Sequence, residues 1–165
     1  MATTPKTKKK PAKAAATKKA KSQSVCLNPY LTFNGTCEAA FKLYKKVFGG
    51  DFCCLHRFKD MPPSEGKVSA QHRNRIMHMG LPIGSMLLMG SDSCPDHPPA
   101  VGDNVTLSVC APNTAEAKRI FKALSVGGEV TMPLERTFWA ELFGAATDRF
   151  GICWQVMFEG DACCK

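Results

Sequence analysis

The chain has 165 residues, 44% of them hydrophobic, and a formal net charge of +8. That length bounds it to one ordinary domain or two small modules sharing a core, and no apolar run is long enough to span a membrane. The charge does not mark a nucleic-acid-binding domain. Lys6, Lys8, Lys9, Lys10, Lys13, Lys18, Lys19 and Lys21 all precede the first acid, Glu38, and the other 14 basic residues balance 14 acidic ones.

Residues 1–25 therefore read as a tail, and residues 26–159 as the domain, followed by a short C-terminal end at 160–165. The tail is Lys, Ala, Thr and Pro with no aromatic residue. It cannot bury enough apolar surface to offset the entropy of ordering, so disorder is expected. Two readings of it stand: an arm that contacts a polyanion or carries a nuclear address, or a solubilising extension. It lacks the apolar core of a signal peptide and the arginines of a mitochondrial presequence. A cytoplasmic protein is expected, with the nucleus open for a eukaryotic source.

The first predicted strand covers 29–33, and the helix after it carries Ala40, Phe41, Tyr44, Val47 and Phe48 on one stripe. Gly49-Gly50 stops that helix. Alternation then predicts strands over 52–58 and 76–81, with the turn Pro82-Ile83-Gly84 leading into a strand at 86–89. On this alternation His56 and His78 share a face with Phe52, Phe58 and Ile76. A loop rich in Pro and Asp, 91–103, joins this part to the next.

The second part repeats the first. TCEAAFKLYKKVFGGDF, from Thr36, aligns without a gap on TAEAKRIFKALSVGGEV, from Thr114, at an offset of 78 residues. Thr36, Glu38, Ala39 and Gly49-Gly50 fall on Thr114, Glu116, Ala117 and Gly127-Gly128, which points to two copies of one supersecondary unit. In the second copy a strand covers 104–110, and Asn113 or Thr114 caps a helix whose apolar stripe is Ala117, Ile120, Phe121 and Leu124. Strands over 129–132, 140–146 and 152–158 follow. The order is βαβββ twice, with modules at about 28–92 and 104–159, so the fold class is α+β: tandem βαβββ modules forming a curved mixed sheet with helices on one side.

Nine cysteines invite a disulfide or zinc reading. Two adjacent pairs, Cys53-Cys54 and Cys163-Cys164, and the lack of any Cys-x-x-Cys argue against both. Cys37, Cys54, Cys110 and Cys153 sit among apolar residues, where free cysteine acts as a small hydrophobe. Reduced thiols in an intracellular protein are expected.

NPYLTFNGTCEAAFKLYKKVFGG, IMHMGLPIGSMLLMGSD and TFWAELFGAATDRFGICWQV together resemble the vicinal oxygen chelate superfamily, which includes glyoxalase I, the bleomycin-resistance proteins and the extradiol dioxygenases. The finer resemblance is to its PhnB-like branch. It implies a cavity on the inward faces of the strands and a homodimer, because in this fold modules of two chains often meet at the cavity. It also implies a small organic ligand. His78 and Asp92 match the branch's hairpin motif. Trp139, Phe143, Trp154 and Gln155 come from its closing motif, where large aromatics serve equally as core or as pocket wall. These six are the candidate ligand-binding residues; none is assigned as catalytic. Asp148 reads as a turn former, Phe150 as core, and Gly144 and Gly151 as backbone devices.

Superfamily enzymes hold a divalent metal with His and Glu from the first and last strand of each module. Here the corresponding positions offer Asn104 and Gln155, which are weak uncharged ligands, so no metal and no other cofactor is expected. Three readings follow: a ligand-binding PhnB-like protein, a metal-dependent lyase or dioxygenase with an unusual set including His78, and a scaffold whose tail binds nucleic acid.

Overall fold

The computed structural model describes residues 1, 25–62, 64, 68–94 and 97–163. The tail falls almost wholly outside them, as do residues 164 and 165 of the C-terminal end. Strand β1 (Tyr30–Phe33) leads into α1 (Cys37–Phe48), followed by β2 (Cys54–Arg57), β3 (Ile76–Ile83) and β4 (Met86–Asp92). The second module repeats the order with β5 (Leu107–Cys110), α2 (Thr114–Ser125), β6 (Glu129–Glu135), β7 (Leu142–Thr147) and β8 (Cys153–Phe158). The α+β class and the tandem βαβββ modules are as the sequence predicts. The strands make two four-stranded sheets, ordered β1-β4-β3-β2 and β5-β8-β7-β6, with no strand pairing between them.

Each sheet is mixed. β1 runs parallel to β4, and β5 parallel to β8, while the other pairs are antiparallel. The parallel pair follows from the connection: a strand that crosses over through a helix must return in its original direction. β1 and β5 are both edge strands, each paired along one side only.

Each helix covers one face of its own sheet and keeps its opposite face exposed. α1 packs on β3 and β4, α2 on β6, β7 and β8, and the two helices touch each other. Phe41 and Tyr44 of α1 are fully buried, as are Ala117 and Leu124 of α2, and the core they share reaches Trp154 and Val156 of β8. Close approach is obtained by glycine. A Cβ on Gly90 would meet the Phe41 ring at 2.6 Å, and one on Gly144 would meet backbone of Leu134 at 2.8 Å and the Phe121 ring at 3.0 Å. Each helix thus presses a phenylalanine onto a strand that has no side chain there.

Several boundaries differ from the sequence reading. β5 begins at Leu107 because its partner β8 begins at Cys153, where the turn from Asp148 ends; Asn104 stays exposed ahead of the strand. β6 runs on to Glu135 through Pro133, which an edge strand accommodates, and its register shifts twice. A bulge opposite His56 and Arg57 breaks the alternation in β3, so Ile76 turns into the core while His78 does not. Gly49 and Gly127 take φ of 80° and 75°, as a helix stop requires. Cys37 is buried, but Cys110 is exposed, because it sits on the face of β5 turned away from α2.

Candidate ligand-binding site

The sheet face turned away from α1 carries both strand histidines. His56 and His78 are register partners across β2 and β3, so their side chains emerge on the same face. Tyr30 on β1 stacks on the half-buried His78 ring, with centroids 5.8 Å apart and planes at 25°, and its hydroxyl lies 3.4 Å from Nδ1. The row beneath runs Tyr30, Met89, Gly80 and Cys54. A Cβ on Gly80 would come within 2.9 Å of the Cys53 Sγ, so that position of the row carries no side chain. Burial and the neighbouring Cys53 push the Cys54 thiol up, which keeps it protonated.

The corresponding face of the second sheet carries Gln155, in one row with Ser108 and Ala145, and Phe143, in one row with Met157. Trp139 meets Phe143 edge-on at 4.7 Å. A tight turn holds Trp139 there: Thr137 N donates to the Ala140 carbonyl, and Ala140 N donates to Thr137 Oγ1, both at 3.0 Å. Phe138, beside it, is almost fully exposed.

Asp92 and Trp154 lie on the helix side of their sheets. Asp92 is buried and accepts from Cys37 N at 3.0 Å and Ile76 N at 2.8 Å. It thereby caps α1 and seals the β3 bulge, leaving each carboxylate oxygen engaged with backbone. Trp154 is 3% exposed and sits between Tyr44 and Phe48. Its Nε1 donates to Asp148 Oδ2 at 2.9 Å, and Tyr44 OH donates to the same oxygen at 2.7 Å. Asp148 Oδ1 accepts from Phe150 N and Ile152 N. The turn role read for Asp148 is present, and a second role joins it: its carboxylate binds the modules together. Burial first, and the Asp148 charge next, push the Tyr44 phenol far above its ordinary range.

Trp154 also forms a wall of a cleft of about 1130 Å³ between the segment before β1, the β3–β4 turn and β5, with Phe48, Leu88, Ile120 and Val109 around it. The other five candidates do not line that cleft. The six candidate residues therefore separate: His78 on the helix-free face of the first sheet, Trp139, Phe143 and Gln155 at that of the second, and Asp92 and Trp154 on the helix-covered faces. Tyr30, the partner of His78, was missed in the sequence; its only signal was its place one step from Leu31 on an alternating strand.

A superfamily metal would need donors from both sheets on one surface. His78 and Gln155 lie on two separate sheets, Asn104 precedes its strand, and among the described residues no cluster of three or more His, Cys, Asp and Glu is assembled. The side chains of one chain do not fit that group. Among the described residues, no helix is long and apolar enough to cross a membrane.

Comparison with known proteins places the chain. The family model described as 3-demethylubiquinone-9 3-methyltransferase matches residues 26–157. Protein YjdN of Escherichia coli is 32% identical over 138 residues, which is 79% of this chain and 92% of that protein. The crystal structure of protein PA1353 from Pseudomonas aeruginosa superposes with a TM-score of 0.76 at 41% identity, covering 82% of this chain and 98% of the other. A putative 3-demethylubiquinone-9 3-methyltransferase, PhnB protein, from Bacillus cereus gives 0.68 at 23% identity, covering 80% and 98%. A glyoxalase/bleomycin resistance protein/dioxygenase family enzyme from Burkholderia phytofirmans shares the fold, with a TM-score of 0.53 at 12% identity over 79% and 96%. With its two βαβββ modules and a family match over nearly all of the described chain, the protein belongs to the PhnB-like, 3-demethylubiquinone-9 3-methyltransferase-like family of the vicinal oxygen chelate fold.

Proposed function

We propose that the protein binds a small organic ligand on the sheet faces turned away from the helices, as a homodimer that sets the first sheet of one chain over the second sheet of the other. One observation carries this reading. The Tyr30–His78 pair and the Trp139–Phe143–Gln155 group lie on the helix-free faces of two separate sheets, which no strand pairing among the described residues joins. Two chains together can close a cavity over them. The free edges of β1 and β5 offer the strand contacts such a dimer would use.

In that site Trp139 and Phe143 supply apolar contact, Gln155 a hydrogen-bonding amide, and His78 ring nitrogens that can donate or accept a hydrogen bond. Methyl transfer, named in the family's description, is not carried over. The strand–helix turns that could cradle a nucleotide-type methyl donor are Asn34-Gly35-Thr36 and Ala111-Pro112-Asn113, three residues each and not glycine-rich. Ligand binding without a metal centre is the reading adopted.

The test has two arms. Light scattering on a sizing column should give twice the chain mass. A ligand screen read by tryptophan emission should yield hits that His78→Ala and Trp139→Ala both weaken. A monomer that still binds those hits would refute the two-chain site, and hits indifferent to both substitutions would refute its location. The Lys-rich tail carries a separate expectation: heparin affinity that falls steeply with salt and disappears when residues 2–24 are deleted.

A further inference from the structure

A second cavity, of about 530 Å³, opens in the crevice between α1 and α2, away from both sheet faces. Leu43, Val47 and Ala123 make an apolar floor, and Lys42, Lys46, Arg119 and Arg149 stand around it with no acid among the lining residues. Outside the tail the chain is balanced, 14 basic residues to 14 acidic, so four cations about one crevice are a local concentration.

Three of the four are partly engaged, Arg149 by lying over the Phe150 ring at 5.0 Å. Lys42 pairs with Glu38 at 2.9 Å, and Arg119 forks onto Glu116 and donates to the Val47 carbonyl at 2.6 Å. That last bond ties the two walls together, so the crevice is preformed. Lys46 and Arg149 make no ion pair among the described residues. A basic residue in the last turn of α1 answers the helix dipole, which accounts for Lys46. It does not account for Arg149, which reaches the same crevice from the β7–β8 turn of the other module.

We propose that this crevice is a second binding site, for an organic anion: a carboxylate or phosphate monoester head held by Lys46 and Arg149, with its hydrocarbon body on Leu43, Val47 and Ala123. The volume suits such a ligand, since small-molecule pockets run from roughly 300 to 1,000 Å³. The apolar floor is what separates it from an ordinary solvated basic patch, because a free inorganic anion would leave that floor in water.

Titration calorimetry on the full chain with decanoate, decyl phosphate and inorganic phosphate, all below micelle formation, tests the proposal. At least one amphiphile should bind saturably at one site per chain, and inorganic phosphate should bind about tenfold more weakly or worse. Both Lys46→Glu/Arg149→Glu and the crevice-filling Ala123→Trp should weaken the amphiphile about tenfold or more, whereas His78→Ala should not. The tail is identical in every variant, so differences report the crevice. Thermal melts confirm folding, and the neutral Lys46→Gln/Arg149→Gln pair replaces the charge reversal if that variant fails to fold. Which amphiphile binds identifies the head group. No saturable binding of either, unchanged affinity in the crevice variants, inorganic phosphate binding as tightly as decyl phosphate, or loss of binding in His78→Ala would each overturn the proposal.

Discussion

The two modules repeat one another in sequence, yet each fixes its helix by a different device. α2 is capped locally: the Asn113 side chain accepts from Glu116 N, three residues on. α1 has no such bond from Thr36; its first N–H goes to Asp92, 55 residues later at the end of β4. In the second module β8 ends in Phe158, and the buried acid, Asp148, lies in the β7–β8 turn, where it holds Tyr44 of the first module. The first module's hairpin turn has no acid at all: its residues are Gly84 and Ser85. A duplicated unit need not keep its polar anchors in duplicate. One anchor closes its own module and the other joins the pair.

The largest effect is expected at the joining anchor. Asp148→Ala strands two buried side-chain donors, Tyr44 OH and Trp154 Nε1, along with two turn N–H groups. Leaving that many donors unsatisfied should cost about 3 kcal/mol or more. Denaturant melts should show it, with the Trp154 environment, read by near-ultraviolet circular dichroism, changing in the folded state as well. If Asp148→Ala cost no more than Tyr44→Phe alone, the carboxylate would not be the centre of the junction.

Asp92→Ala comes next. It removes one acceptor from two buried N–H groups, one on α1 and one at the β3 bulge, for a cost of about 2 kcal/mol. Asn113→Ala, the matched change in the second module, should cost about 1 kcal/mol, the usual size of an N-cap. The comparison between modules stands on that order. Equal losses would mean that remote and local capping are equivalent here, and that Asp92 serves the helix but not the bulge.

This contrast also marks what the sequence could tell. The helix stripes, the Gly49 and Gly127 stops and the Asn113 cap are local patterns, and each was legible. The cap from Asp92 was not, because nothing in a sequence links a carboxylate to an N–H 55 residues away. The bulge that turns Ile76 inward was hidden too, since strict alternation kept it with His78. For the candidate site, alternation could not say which face of β7 and β8 meets the helix. Aromatics occupy both faces: Phe143 on one, Trp154 on the other. The helices packed on one face of each sheet decide it, and that packing depends on which large side chains, Tyr44 above all, bridge the modules.

The smallest effect concerns the acids that match at the offset of 78, Glu38 and Glu116. Glu38 joins elements: Arg57 at the end of β2 reaches it at 2.9 Å, and Lys42 bonds its other oxygen. The Arg57 hydrogen bond, then that of Lys42, hold the Glu38 carboxyl down at about 2. Glu116 is lowered as well, by Arg119, but that pair lies within one helical turn and is solvated. A carboxyl whose folded pKa lies below its unfolded value contributes stability that is complete above the unfolded value. It disappears as pH falls through the folded one. For Glu38 that window runs from about 5 down to about 2. Glu38→Gln should therefore match the parent more closely at pH 2 than at pH 7, and its melting temperature should fall less steeply across the window. Glu116→Gln should change that slope much less. Should the two variants flatten the acid limb equally, the Arg57 bridge would add nothing beyond an ordinary surface pair, and the inequality between the modules would be confined to their buried acids.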